Sequence, residues 1–121
     1  MNDEELARRW YAAWNARDVD AILALYSEEL EFASPFVSAL GFGPEGVLYG
    51  KAMFRAYVEA ALPRVPELSF AQVALCVGAR GHTLIYRINT GVLVAESHEL
   101  DAAGLIVRAD ATYETSEIER R

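Results

Sequence analysis

Apolar residues recur along this chain with two periods, helical in the first half and extended in the second. Leu6, Trp10, Ala13 and Trp14 fall at helical spacing, with Arg8, Arg9 and Arg17 mostly off the stripe, and predict a first helix. Asn2 is placed to cap it, with Glu5 three residues on as the reciprocal partner. Asp18 caps a second, short helix through Val19, Ile22, Leu23 and Tyr26. A short strand is expected over residues 30–34, where Pro35 stops it. Residues 35–50 are rich in glycine, with Pro44 among them, and read as a long irregular loop of the kind that rims a pocket. Met53, Phe54, Tyr57, Val58, Ala61 and Leu62 then give a third, one-sided helix, ended by Pro63 and Pro66.

The remainder reads as four strands, over residues 68–77, 82–88, 92–100 and 105–114. Turns fall at 78–81 and 101–104, and Asn89-Thr90-Gly91 makes a three-residue hairpin loop. Helices first and mainly antiparallel strands after them predict an α+β domain, its helices covering one face of a curved sheet. The 121 residues fit one domain, 1–121, with one core.

Composition narrows the function classes. A hydrophobic share of 53 % with 24 % charged residues describes a folded globular chain. The net charge is −7 and no basic cluster exceeds Arg8-Arg9 or Arg120-Arg121, so neither nucleic acid nor an anionic membrane surface is an expected partner. No apolar run reaches the ~18 residues that span a bilayer. The start, Met1-Asn2-Asp3-Glu4-Glu5, is acidic where a signal peptide is basic, which places the chain in the cytoplasm. Cys76, the single cysteine, excludes an intrachain disulfide and is expected to pack as a small hydrophobe. Two histidines without close ligand spacing give no metal site. Glu4, Glu5, Glu28, Glu29 and residues 117–121 read as solvated charge.

The candidate chemistry lies in residues 92–100. Glu96 and His98, two apart in a strand, point to one face, which Val94 and Leu100 share. An acid beside a base on an apolar surface is suited to proton exchange, since burial tends to raise a carboxyl and lower an imidazole pKa. The alternative is an ion pair on a solvated sheet face. Gly41-Phe42-Gly43-Pro44-Glu45-Gly46 matches the G-x-G-x-x-G spacing. It lacks the strand–turn–helix context through which that motif holds a pyrophosphate, and reads as a flexible loop. His82, beside Gly81 at a strand start, reads as a surface residue.

The segments Trp10-Tyr11-Ala12-Ala13-Trp14-Asn15-Ala16-Arg17-Asp18, Ala24-Leu25-Tyr26-Ser27-Glu28-Glu29 and Ser34-Pro35 carry a family resemblance. Gly50 before the third helix and Asp101-Ala102-Ala103-Gly104-Leu105-Ile106 before the last strand complete it. Together they resemble the nuclear-transport-factor-2-like superfamily, which includes SnoaL-like polyketide cyclases, ketosteroid isomerases and limonene epoxide hydrolases. The resemblance covers nearly the whole chain and implies a cone-shaped sheet around an apolar cavity, in a homodimer formed through the outer sheet face. It identifies a fold better than a reaction.

Carried over residue by residue, the isomerases' proton-abstracting aspartate falls on Ser34, which cannot abstract a proton unaided. Their oxyanion-hole tyrosine falls on Trp10 and their protonated aspartate on Glu96. The cyclases' late aspartate has Asp110 as its nearest match, one residue short of register, so that Val107, Ala109, Ala111 and Tyr113 face the cavity and Arg108 and Asp110 lie outside unless a bulge restores Asp110. The hydrolases' Asp-Arg-Asp set finds only Arg87 and Asn89. The catalytic candidates are therefore Glu96 and His98, with Asp110 in reserve.

Trp10, Trp14, Tyr26, Phe32, Phe54, Tyr57 and Tyr86 serve as core and cavity wall alike in a hollow fold, about one third of them lining the cavity. Trp14 and Tyr86 are the best placed. With Ser34, Ala109 and Tyr113 they form the candidate substrate-binding set. Two functions follow. One is a cofactor-independent isomerase, cyclase or hydrolase using acid–base chemistry on an apolar carbonyl, epoxide or polyketide-like molecule. The other is a non-catalytic module that binds an apolar ligand or dimerises.

Overall fold

A computed structural model describes residues 1–115; the expectation of solvated charge at residues 117–121 lies outside them. Helix α1 spans Asp3–Asn15, and the Asn2 side chain accepts from the Glu5 N–H at 2.8 Å. Leu6, Ala7, Trp10, Tyr11 and Ala13 form its buried stripe. Helix α2, Val19–Leu23, is capped by Asp18, whose carboxylate accepts from the Ala21 N–H at 3.1 Å. Between them Arg17 takes a left-handed backbone conformation, φ 57°. Its guanidinium donates to the carbonyls of Leu62 and Val65, 3.1 Å away in the second case.

Tyr26 is not helical. Strand β1 spans Tyr26–Ala33 and pairs in parallel with the last strand, with a register shift between Tyr26 and Glu31. The Pro35–Gly50 stretch holds more regular structure than its glycines suggest: helix α3, Pro35–Ala39, and strand β2, Val47–Tyr49. Ser34 caps α3, its hydroxyl accepting from the Phe36 N–H at 3.2 Å. Helix α4, Lys51–Ala61, runs into a 3-10 turn at Leu62–Arg64.

Four further strands follow: β3 Phe70–Val77, β4 Gly81–Ile88, β5 Leu93–Leu100 and β6 Ile106–Tyr113. One sheet results, in the order β2-β1-β6-β5-β4-β3, antiparallel except for β1 against β6. The architecture is α+β, with helices against one face of a curved, unclosed sheet. Alternation is clean in β4–β6: Leu84, Tyr86, Val94, Glu96, His98, Ala109 and Ala111 are buried, whereas Arg87, Ser97, Arg108, Asp110 and Thr112 are exposed.

Helix α1 is fastened to β3 by an amide that imitates a strand: Asn15 donates to the Phe70 carbonyl at 3.0 Å and accepts from its N–H at 2.8 Å. Cys76 is exposed rather than packed, because β3 is the edge strand and no helix covers it there. Among the described residues no helix is long and apolar enough to cross a membrane.

Candidate active site

The three-residue turn after β4 sets the register of the β4–β5 hairpin. The Ile88 N–H donates to the Val92 carbonyl, and every pair beyond follows: Tyr86 opposite Val94, Leu84 opposite Glu96, His82 opposite His98. Side chains of opposed residues share a face. The inner face of this hairpin therefore carries Tyr86, Glu96, His98 and His82 as one cluster. On the other side β6 sets Ala111 beside Glu96 and Ala109 beside His98, small residues that leave the larger side chains room.

Glu96 is the hub. Its Oε1 accepts from the Tyr86 hydroxyl at 2.8 Å and its Oε2 lies 2.8 Å from His98 Nε2. His98 Nδ1 meets His82 Nε2 at 3.0 Å, and His82 Nδ1 meets Asp3 Oδ1, on the first turn of α1, at 2.9 Å. Glu96 is 4 % exposed, and both imidazoles are wholly buried. Burial, and after it Glu96, pushes the Tyr86 hydroxyl well above the usual phenol range, so Tyr86 is a neutral donor. Burial also lowers His82 below the ordinary imidazole value, against the opposing hydrogen bond from Asp3.

Glu96 opens onto a cavity of about 660 Å³ between the sheet and helices α1, α3 and α4. Trp10, Trp14, Phe70 and Tyr86 form one wall, Phe32, Phe36, Leu40 and Tyr57 another, and Ala111 and Tyr113 line it from β6. The exposed Arg64, Glu67, Asn89 and Thr90 supply the polar part of the lining at its solvent side. Glu96 is the buried carboxyl within an otherwise largely apolar surface. Burial raises the Tyr57 hydroxyl to about 12, with Ser34 pulling slightly the other way.

The sequence-derived set divides accordingly. Trp10, Trp14, Phe32, Tyr57, Tyr86, Glu96 and Tyr113 line the cavity. That is five of the seven aromatics, more than the third expected, since the helices stand off the sheet and leave the cone hollow. Tyr26, Phe54 and Ala109 are buried beside the cavity without lining it. His98 stands behind Glu96 rather than in the wall.

Asp110 is exposed on the opposite sheet face, as its register one residue short implied: the β5–β6 register shift inserts Val107 between Ile106 and Arg108, so the buried positions run Ile106, Ala109, Ala111 and the bulge does not bring Asp110 inward. Ser34 lies outside the lining, as a helix cap. Trp10 presents its ring, but its N–H is already bonded to the Tyr26 hydroxyl at 2.9 Å. His82, expected at the surface, is buried in the cluster because Gly81 draws β4 against β5: a Cβ there would sit 1.9 Å from the His98 carbonyl oxygen. The G-x-G-x-x-G loop is a tight turn, in which a Cβ at Gly43 would meet the Val47 carbonyl oxygen at 2.2 Å.

Residues 7–117 match the SnoaL-like domain. The chain belongs to the SnoaL-like family. A SnoaL-like protein of unknown function from Burkholderia thailandensis is similar over 93 % of both chains, with 34 % identity and a TM-score of 0.87. Two more distant structures share the fold. TerC, co-crystallised with polyporic acid, is 17 % identical over 98 % of this chain and 95 % of its own, TM-score 0.77. A Kribbella flavida protein assigned provisionally as a ketosteroid isomerase is 16 % identical over 91 % of this chain and 76 % of its own, TM-score 0.72. No functionally curated protein matches this SnoaL-like chain.

Proposed function

We propose that this SnoaL-like protein encloses a small, largely apolar molecule and performs cofactor-independent acid–base chemistry on it, with Glu96 giving or taking the proton. One observation carries this: a single buried carboxyl in the wall of a cavity of about 660 Å³, bonded to a neutral phenol and an imidazole. A cavity of that size falls within the ~300–1,000 Å³ of ordinary ligand pockets, which pair apolar walls with a few placed polar groups. Tyr86, whose hydroxyl donates to Glu96 Oε1, fixes the orientation of the carboxyl while it exchanges a proton with a substrate carbon. Trp10 and Trp14 offer flat faces to a ring-bearing or polyketide-like substrate. TerC, on the same fold, was co-crystallised with polyporic acid, which supports a small molecule as the partner.

The test is turnover across a panel of apolar carbonyl, epoxide and polyketide-like compounds by the natural protein and by Glu96→Gln. A positioned acid or base contributes about 10²- to 10⁴-fold, so the variant should lose that much with its circular dichroism unchanged. Full activity in Glu96→Gln overturns the assignment.

A second reading is favoured by Ser34, which stands where the isomerases hold their base and lies outside the cavity lining. On that reading the cavity binds an apolar ligand without changing it. Ala111→Phe then blocks uptake, while Glu96→Gln alters affinity and no reaction.

A further inference from the structure

Three consecutive hydrogen bonds join Glu96 to Asp3, and each needs one proton. With both carboxyls ionised and both imidazoles neutral, only two protons are present, one per ring. One contact among the three, all at 2.8–3.0 Å, would then set lone pair against lone pair inside the protein. Burial already holds His82 toward its neutral form. On His98 the third proton would leave a cation and the Glu96 anion both buried; on a carboxyl it leaves both rings neutral, and it then has two places. In one arrangement Glu96 Oε2–H donates to His98 Nε2, His98 Nδ1–H to His82 Nε2, and His82 Nδ1–H to the Asp3 carboxylate. In the other, Asp3 carries the proton, both rings are Nε2–H, and Glu96 is the carboxylate.

We infer that Asp3, His82 and His98 form a proton wire that exchanges the Glu96 proton with bulk water from the side opposite the cavity. The two arrangements interconvert when three protons each move one bond: Oε2 to His98 Nε2, His98 Nδ1 to His82 Nε2, and His82 Nδ1 to Asp3 Oδ1. No charge stays on either ring. Asp3, whose side chain is 31 % exposed, then releases its proton to water; the reverse order reloads Glu96. The first arrangement is the resting one, because it leaves the negative charge at the wet end and not in the cavity wall. The groups facing the wire are Trp10 and Tyr11 on α1, Tyr26 on β1 and Tyr86 on β4, while β6 sets the non-titrating Ala109 beside His98. The tyrosines among them whose hydroxyls are shifted are all raised, and so remain neutral. His82, His98 and Asp3 are thus positioning residues that set the protonation of Glu96 from behind the cavity wall. Their use rests on the proposed function, but their coupling does not.

The coupling is read without a substrate, from the ring nitrogens of ¹⁵N-labelled histidine by long-range ¹H–¹⁵N spectra across pH. Both rings should be Nδ1–H at low pH and switch to Nε2–H together, at one midpoint, as the third proton leaves. Asp3→Asn removes a negative charge from the wire and should move that midpoint to lower pH, including at His98, which does not touch Asp3. Rings that switch at different pH values, or that keep one tautomer throughout, overturn the wire. So does a His98 midpoint unmoved by Asp3→Asn. If the wire fails while Glu96→Gln still abolishes turnover, the acid–base function stands alone; if the wire holds and no turnover is found, the function fails alone.

Discussion

His82 shows how far one side chain depends on its neighbours. Its imidazole is sealed between His98 and Asp3, and its pKa lies below the ordinary value chiefly because burial penalises the cation. The unfolded chain therefore binds a proton near the ordinary imidazole value of 6.5 that the folded chain takes up only at lower pH. Stability from this group is present above pH 6.5 and is lost as pH falls below it, by at most about 1.4 kcal/mol per pH unit for one proton. Urea denaturation at pH 7.5 and 5.5 should show the loss in the natural protein and a smaller loss in His82→Gln. Glu96 and His98 were legible in the sequence because a two-residue spacing on a strand puts them on one face. His82 was misread as a surface residue, although the three-residue turn at 89–91 fixes the register that sets it opposite His98. Asp3 was not, because nothing local says that the first turn of a helix will cross the sheet to meet that ring.

At the scale of elements, the helix starts were readable from Asn2 and Asp18, whose side-chain caps are local chemistry. Strand β1 was misjudged at its beginning, since the register shift between Tyr26 and Glu31 breaks the alternation that marks a strand. Helix α3 and strand β2 were hidden because their short segments, five and three residues, are too brief for periodicity. The β4–β5 hairpin holds most of the site, and Gly81 lets its strands approach there. Gly81→Ala should separate Gly81 from the His98 carbonyl oxygen, with a destabilisation above the ordinary ~0.5–3 kcal/mol of point substitutions. Thermal unfolding measures the loss, and the His82 and His98 ring signals should part from each other in the same sample. Unchanged stability would mean that the β4 backbone can shift at no cost.

Across the whole molecule the family's curved sheet was recognisable from order alone, helices first and a strand meander after, whereas the parallel β1–β6 pairing was not. What the order does not carry is which aromatic rings stay clear of the middle. Trp10, Trp14, Phe70 and Tyr86 are tilted or stacked against one another, and that mutual support leaves the space beside Glu96 open. One further consequence lies in α1. Asp3 ties its first turn to β4 through His82, and Asn15 ties its last residue to β3. A helix held at one point frays from its free end, and its terminal amides exchange with solvent far sooner than those of a core strand. Held at both ends, the amides of α1 beyond its first turn should open only with the sheet itself, and deuterium uptake should report helix and strands as one cooperative unit. Asp3→Asn, which weakens only the first fastening, should let the N-terminal turns exchange early while the Asn15 end keeps time with β3.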